Sequence, residues 1–211
     1  MIDAASLALE RGTIDESAWH AQVTGALASA YLIDDDPRWQ SGFDGDAELW
    51  REARELVLDA VGADGAFLDI GCTNGHLMEC LATWAQERGQ HLSMYGLELN
   101  RDLASAARRR LSAWADRIFE GNVVDWEPPR RFSYVRTGLE YVPLERRSFL
   151  VARLVRDVVE PGGRLIVGPV NDRDLEGAVA AFADAGLADP VVKGATDRNA
   201  KTRYVLWIAK P

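Results

Sequence analysis

Cysteine is scarce in this chain: two of 211 residues, Cys72 and Cys80. Neither has a histidine or cysteine companion at zinc-ligand spacing. A disulfide framework and a structural zinc site are therefore not expected, and a reducing cytoplasm is the simplest home. Carboxylates clustered as magnesium-binding enzymes cluster them are also missing, so metal-independent action is expected. No segment approaches the ~20 apolar residues that a bilayer span needs, so no membrane partner is expected. The first residues, Met1-Ile2-Asp3-Ala4-Ala5, lack a basic region ahead of an apolar core and do not read as a secretory signal. Positive charge is in deficit, with 24 basic against 33 acidic residues and a net charge of −9. An acidic surface repels phosphate backbones, which makes nucleic acid a poor candidate partner. The run Arg108-Arg109-Arg110 falls in an alanine-rich helical stretch and reads as a solvated face. Repeats and low-complexity segments are absent too.

What remains is an ordinary globular composition, 47% hydrophobic and 27% charged, with room for one α/β domain and a modest extension. Apolar spacing predicts helix over the first ~30 residues, with Thr13 or Asp15 as a cap and Trp19, Val23, Leu27 and Tyr31 on one face. Turn signals at Asp34-Asp35-Asp36-Pro37 and Ser41-Gly42-Phe43-Asp44-Gly45 then break the chain. A further helix is predicted through Trp50, Ala53, Leu56, Val57, Ala60 and Val61, with Gly62 as its C-cap. From residue 66 strands and helices alternate. Strands are predicted at 67–70, 92–97, 117–120, 132–136, 164–167, 191–192 and 203–209, and helices at 75–88, 102–114, 144–159 and 175–185. Pro161-Gly162-Gly163 reads as a turn before the fifth strand. Such alternation implies a mainly parallel seven-strand sheet with helices on both faces. The last two strands have no helix between them, so the last strand is expected antiparallel. Residues 1–45 are read as an N-terminal helical extension and candidate lid, and 46–211 as the main domain.

The most informative stretch is Phe67-Leu68-Asp69-Ile70-Gly71-Cys72-Thr73-Asn74-Gly75. A buried strand ends in a carboxylate, turns on a glycine, and opens a helix whose free N–H groups suit an anion. It resembles motif I of the class I S-adenosylmethionine (SAM)-dependent methyltransferases, and the resemblance extends over residues 46–211. It implies a Rossmann-like three-layer α/β sandwich, with Asp69, Gly71 and Gly75, and the loop residues Cys72, Thr73 and Asn74 between them, holding the methionine part of SAM. The family often has a third glycine in this loop, where this chain has Thr73-Asn74.

The resemblance also assigns the other cofactor positions. Glu98, ending the second strand beside Leu99, is the expected ribose ligand, since an acid there accepts from a diol. Asn122 and Val123, after the third strand, would meet the adenine edge. The family's usual residue at Asn122 is aspartate, and an amide still accepts from an amine. Asp125 and Trp126 are further candidates for that edge. Thr137 and Gly138 begin the loop that borders the transferable methyl group in the family.

On the acceptor side, several amine methyltransferases carry Asn or Asp followed by Pro-Pro-Tyr or Pro-Phe-Tyr after the fourth strand. This chain has Thr137-Gly138-Leu139-Glu140-Tyr141-Val142-Pro143. Oxygen is therefore favoured over nitrogen as the methyl acceptor, and a small molecule as the substrate. Glu140, Tyr141 and His20 are the candidate catalytic residues, since a base helps when the acceptor carries a proton. Asp172 is a further candidate, and His76 reads as a polar first-turn residue. Trp39 to Phe43 forms either a flap over the ligand or a packed linker. Two rival functions keep the fold: a SAM-binding regulator or assembly partner without transfer, and an NAD-dependent oxidoreductase, which would usually show G-x-G-x-x-G.

Overall fold

The computed structural model describes residues 2–211. Helices α1 (Ile2–Glu10) and α2 (Glu16–Tyr31) form the extension. Asp15 caps α2 by accepting from the Ala18 N–H at 2.8 Å. Trp19, buried between the two helices with Ala5 and Val23, gives this hairpin a small core of its own. A short 3-10 turn, Trp39–Ser41, leads to α3 (Ala47–Arg54), capped by Asp46.

The helix expected to run on to Val61 stops at Arg54 and tightens into a 3-10 segment, Glu55–Ala60. Leu56, Val57 and Leu58 are all buried. Three successive residues cannot share one stripe of any helix, so their burial shows that neighbouring elements enclose the segment. Val61, in extended conformation, closes this segment in place of Gly62.

The sheet then follows: β1 (Gly65–Ile70), α4 (His76–Glu87), β2 (Leu92–Glu98), α5 (Arg101–Arg110), β3 (Ile118–Glu120), β4 (Phe132–Thr137), α6 (Leu144–Arg153), β5 (Val159–Asn171), α7 (Asp172–Asp184), β6 (Val191–Thr196) and β7 (Thr202–Ala209). The strand order is β3-β2-β1-β4-β5-β7-β6. Strands β1 to β5 pair in parallel, and β7 enters between β5 and β6 antiparallel to both. Two apolar cores cover the sheet, one per face. One joins Trp50, Phe67, Met78, Leu81 and Met94; the other joins Leu68, Phe132, Leu150, Leu154 and Phe182.

Several boundaries differ from those read in the sequence: α5 ends at Arg110 and a 3-10 segment, Ser112–Arg117, follows it, while α7 begins at Asp172. Strand β5 begins at Val159, so Pro161-Gly162-Gly163 lies within it as an irregular start; the Gly162 N–H donates to the Lys210 carbonyl, and the Lys210 N–H to that of Gly163. Helix α6 ends at Arg153 in a wide turn over Leu154–Val158. Strand β6 is longer than two residues because the loop to β7 is pinned by Asp197, whose carboxylate accepts from the N–H groups of Asn199 and Lys201. No helix among the described residues is long and apolar enough to cross a membrane.

Candidate functional site

The strand order reverses direction between β1 and β4, which opens a crevice at their carboxyl ends, the usual ligand position in such sheets. A cavity of about 240 Å³ lies there. The chain supplies its floor from the ends of β1, β2 and β4 and its roof from α2.

The first wall is the turn after β1. Gly71 and Gly75 both adopt positive φ, +74° and +77°. A Cβ on Gly71 would stand 2.8 Å from the Tyr141 hydroxyl, so this position must stay bare. At Gly75 the space for a Cβ is filled by Leu111, 2.5 Å away. Gly75 therefore seats the loop against the end of α5 and does not line the cavity, and its neighbour Asn74 does not line it either. Asn74 is fully buried. Its Nδ2 donates to the Pro37 carbonyl at 2.9 Å and to Gln40 Oε1 at 3.1 Å. Its Oδ1 accepts from Ser41 Oγ at 2.9 Å and from the His76 N–H at 3.0 Å. One amide thus ties the 37–41 segment to the loop.

Asp69 is 1% exposed at the end of β1. Its Oδ1 accepts from Arg136 Nη1 at 2.9 Å, while Oδ2 is buried with no partner. Burial pushes this carboxyl up, and the neighbouring guanidinium opposes the rise. Arg136 also donates from Nε to the Gly168 carbonyl at 2.6 Å. Burial works against its charge, but Asp69, Tyr141 and Glu140 outweigh that and keep the guanidinium protonated.

Glu98 ends β2, buried, and faces the same space. Its Oε2 accepts from the Thr73 N–H at 2.9 Å and its Oε1 from the Asn100 N–H at 2.8 Å. Each oxygen keeps a lone pair for a ligand. Burial raises its pKa, and the two backbone donors oppose the rise. Leu99, Gly121, Asn122 and Val123 continue the wall beyond it. Asp125 and Trp126 do not line the cavity; Trp126 packs on Phe119 with ring centroids 5.4 Å apart.

Of the loop after β4, Glu140 and Tyr141 reach the cavity, whereas Thr137 and Gly138 lie beneath it, fully buried or nearly so. The Tyr141 hydroxyl accepts from the Gly138 N–H at 2.8 Å and donates to the Ile70 carbonyl at 3.2 Å. Burial raises its pKa, with Glu140 adding to the effect. The Glu140 side chain is exposed and also borders an open groove that runs towards α1.

The roof is one face of α2: His20, Val23, Thr24, Leu27 and Tyr31. His20 is half-buried, edge-on to Trp19 at 5.0 Å, and burial lowers its pKa against the pull of Glu16 and Asp125. Ser41 reaches the cavity from the tied segment, while Trp39 points elsewhere and donates to the Ala30 carbonyl at 3.3 Å. Phe43 packs on Trp50, centroids 5.2 Å apart.

Sequence reasoning missed Arg136, Arg54, Trp50, Tyr31 and Pro169, all of which line the cavity. Arg136 had a signal, a lone charge in the apolar run Phe132-Ser133-Tyr134-Val135-Arg136. Arg54 had one too, at helical spacing from Trp50 on an otherwise apolar face. Among the described residues no group of three or more His, Cys, Asp or Glu is placed to hold a metal.

No family model matches the sequence, and no curated protein does. Solved structures do match by shape. The Burkholderia thailandensis 1,6-didemethyltoxoflavin N1-methyltransferase, with bound S-adenosylhomocysteine, aligns at a TM-score of 0.61 and 18% identity over 93% of this chain and 91% of that one. The Streptomyces coelicolor geranyl diphosphate C-methyltransferase gives 0.55 and 16% over 87% and 88%. The [4+2]-cyclase SpnF gives 0.61 and 15% over 91% and 97%. At such identities the likeness establishes architecture, and that architecture is the class I methyltransferase fold expected from the sequence.

Proposed function

We propose that this chain is a SAM-dependent methyltransferase acting on a small molecule. The observation that carries the reading is a pair of buried carboxylates at the ends of adjacent parallel strands, Asp69 with an orphaned oxygen and Glu98 with spare lone pairs, opening into one cavity. An unpaired buried carboxylate oxygen costs stability unless a ligand completes it. These donors and acceptors fit SAM: Glu98 would accept from the ribose hydroxyls, Asn122 and Val123 would meet the adenine, and Asp69 with the Gly71–Thr73 turn would hold the methionine end. Bound there, SAM would supply an already activated methyl group on a sulfonium.

The chain's own work is then alignment, exclusion of water and removal of a proton. Helix α2 lays Val23 and Leu27 over the site and shields it, which supports residues 1–45 as the lid on a SAM-binding domain at 46–211. His20 is held neutral by burial and would take the proton of an acceptor hydroxyl. Glu140 is the second candidate base, and Tyr141 would act by holding the loop through its two backbone bonds. The absence of an Asn- or Asp-Pro-Pro-Tyr sequence after β4 supports oxygen over nitrogen as acceptor atom. Relatives in fold include enzymes of small substrates, which supports a small molecule over nucleic acid. The two free thiols support a reducing cytoplasm.

A second reading has one specific support: a fold relative of similar likeness is described as a cyclase. Under it the chain binds SAM without transferring its methyl group. Mass spectrometry separates the two. Acceptor-dependent conversion of SAM to S-adenosylhomocysteine, with one acceptor gaining 14 mass units (a CH2 increment), supports transfer. SAM binding with no turnover across a panel of phenols, carboxylic acids and amines supports the second reading. Deletion of residues 1–45 tests the lid: SAM affinity should be lost, and retention of full affinity and stability would contradict it.

A further inference from the structure

The cavity holds a cation, Arg54, without an ion-pair partner among the described residues. It donates from Nη1 to the Ala53 carbonyl at 3.2 Å. Its helix neighbour Arg51 is by contrast paired with Glu55 and Glu87. The Arg54 guanidinium instead lies over the rings of Trp50, 5.0 Å from the centroid, and Phe43, 5.3 Å. The two ring centroids are only 5.2 Å apart, so both rings flank it on one side and leave N–H groups for a planar anionic partner. Arg136 adds to this. Its Nε and Nη1 are used by Gly168 and Asp69, but Nη2 has no hydrogen bond, is not sealed off, and belongs to a side chain lining the same cavity.

Arg136 meets the proposed methionine end of the site through Asp69, but it stands on β4, outside the β1–β3 strand ends assigned to the cofactor. The groups that act on Arg54 are Arg136 on β4, Arg203 on β7, Glu140 after β4, and Tyr31 on α2. A cofactor stretched from β3 across β2 to β1 leaves the β4 flank to the acceptor. Burial and the two other arginines push Arg54 down to about 10, which still leaves it a cation at neutral pH. An anion placed there would relieve the repulsion; an ammonium group would meet it.

We propose that Arg54 and the free edge of Arg136 bind an oxyanion, carboxylate or phosphate, carried by the methyl acceptor. The inference rests on the SAM reading for calling that flank the acceptor side. Guanidinium groups bind both anions through paired N–H bonds.

Ligand-observed fluorine NMR with 4-fluorobenzoate, 4-fluorophenyl phosphate and neutral 4-fluorobenzamide tests it, on free protein and on protein saturated with S-adenosylhomocysteine. Saturation fills any subsite for the cofactor's own carboxylate. The expected result is binding of at least one anionic probe to the saturated protein, at least tenfold tighter than the amide. Arg54→Met should remove that preference and leave S-adenosylhomocysteine affinity within threefold, while Arg54→Lys, which keeps the charge, should retain part of it. Equal binding of anionic and neutral probes would overturn the proposal. So would a tenfold loss of S-adenosylhomocysteine affinity in Arg54→Met with anion binding unchanged, because the guanidinium would then serve the cofactor. If S-adenosylhomocysteine fails to bind the native protein, the SAM reading falls, and the free-protein titrations still decide whether Arg54 selects anions. Thermal melts of each variant identify any that fail to fold, and Arg54→Lys then carries the comparison.

Discussion

Arg136 Nη1 donates to Asp69 Oδ1 at 2.9 Å between two adjacent parallel strands, at the one register position where β1 and β4 place opposite charges side by side. Both side chains are buried, so removing one partner strands the other. Arg136→Met is expected to destabilise the fold by about 3–5 kcal/mol, the usual cost of orphaning a buried ion. The double change Asp69→Asn with Arg136→Met should lose less than Arg136→Met alone, since no carboxylate is then left unpaired. Urea titrations of the two variants check this. An Arg136→Met protein as stable as the native chain would mean that the pair is open to water.

Asn74 is expected to act as a latch. Its amide satisfies Pro37, Gln40, Ser41 and the His76 N–H. Asn74→Ala removes four hydrogen bonds, and at ~0.5–1.5 kcal/mol each the loss should be about 2–6 kcal/mol. Hydrogen exchange should rise over residues 37–43 more than over the sheet. Uniform exchange changes along the whole chain would contradict a local latch.

The five parallel strands were legible because buried strands read as short apolar runs between turn residues, whereas exposed β6 showed only Val191-Val192. Strand ends were less legible. Pairing partners decide them: Lys210 holds Gly162 and Gly163 in β5, which no local pattern signals. The acids Asp69 and Glu98 were legible because a carboxylate closing an apolar run has few structural uses. Arg54 and Arg136 each break an apolar pattern, but their meaning lies in which distant side chains surround them. Gly75 was read as holding the methionine part of the ligand, while the group its missing side chain admits is Leu111, 36 positions away in sequence.

His20 supplies a test of proton transfer. Burial lowers its pKa below 6.5, so its base form dominates at neutral pH. Methyl transfer to a hydroxyl acceptor should rise with pH through an inflection below 6.5 and then level off. His20→Ala should lower the turnover number about 100-fold or more, the usual worth of a positioned base. An unchanged pH profile in His20→Ala would assign the proton to Glu140 or to water.

His76 governs a pH effect on stability instead. Burial and then Arg110 push its pKa down to about 4, with Glu79 opposing, against the usual 6.5 of a histidine. Between these values the unfolded chain binds the extra proton. The stabilisation is therefore complete above pH 6.5 and falls as pH drops towards 4. Urea midpoints of the native protein and His76→Gln should converge or diverge only within that window, with the native protein losing more. Parallel losses in both would show that carboxylates alone cause the acid sensitivity.

The central claim is that Asp69 and Glu98 frame a SAM site. Calorimetric titration of the native protein, Asp69→Ala and Glu98→Ala with SAM, S-adenosylhomocysteine and NAD tests it most directly. The expected result is binding of both sulfur ligands to the native chain at about micromolar concentration, a tenfold or greater loss in each variant, and no NAD binding, a tenfold change being about 1.4 kcal/mol. NAD binding without SAM binding, or SAM affinity untouched by both substitutions, would contradict the account.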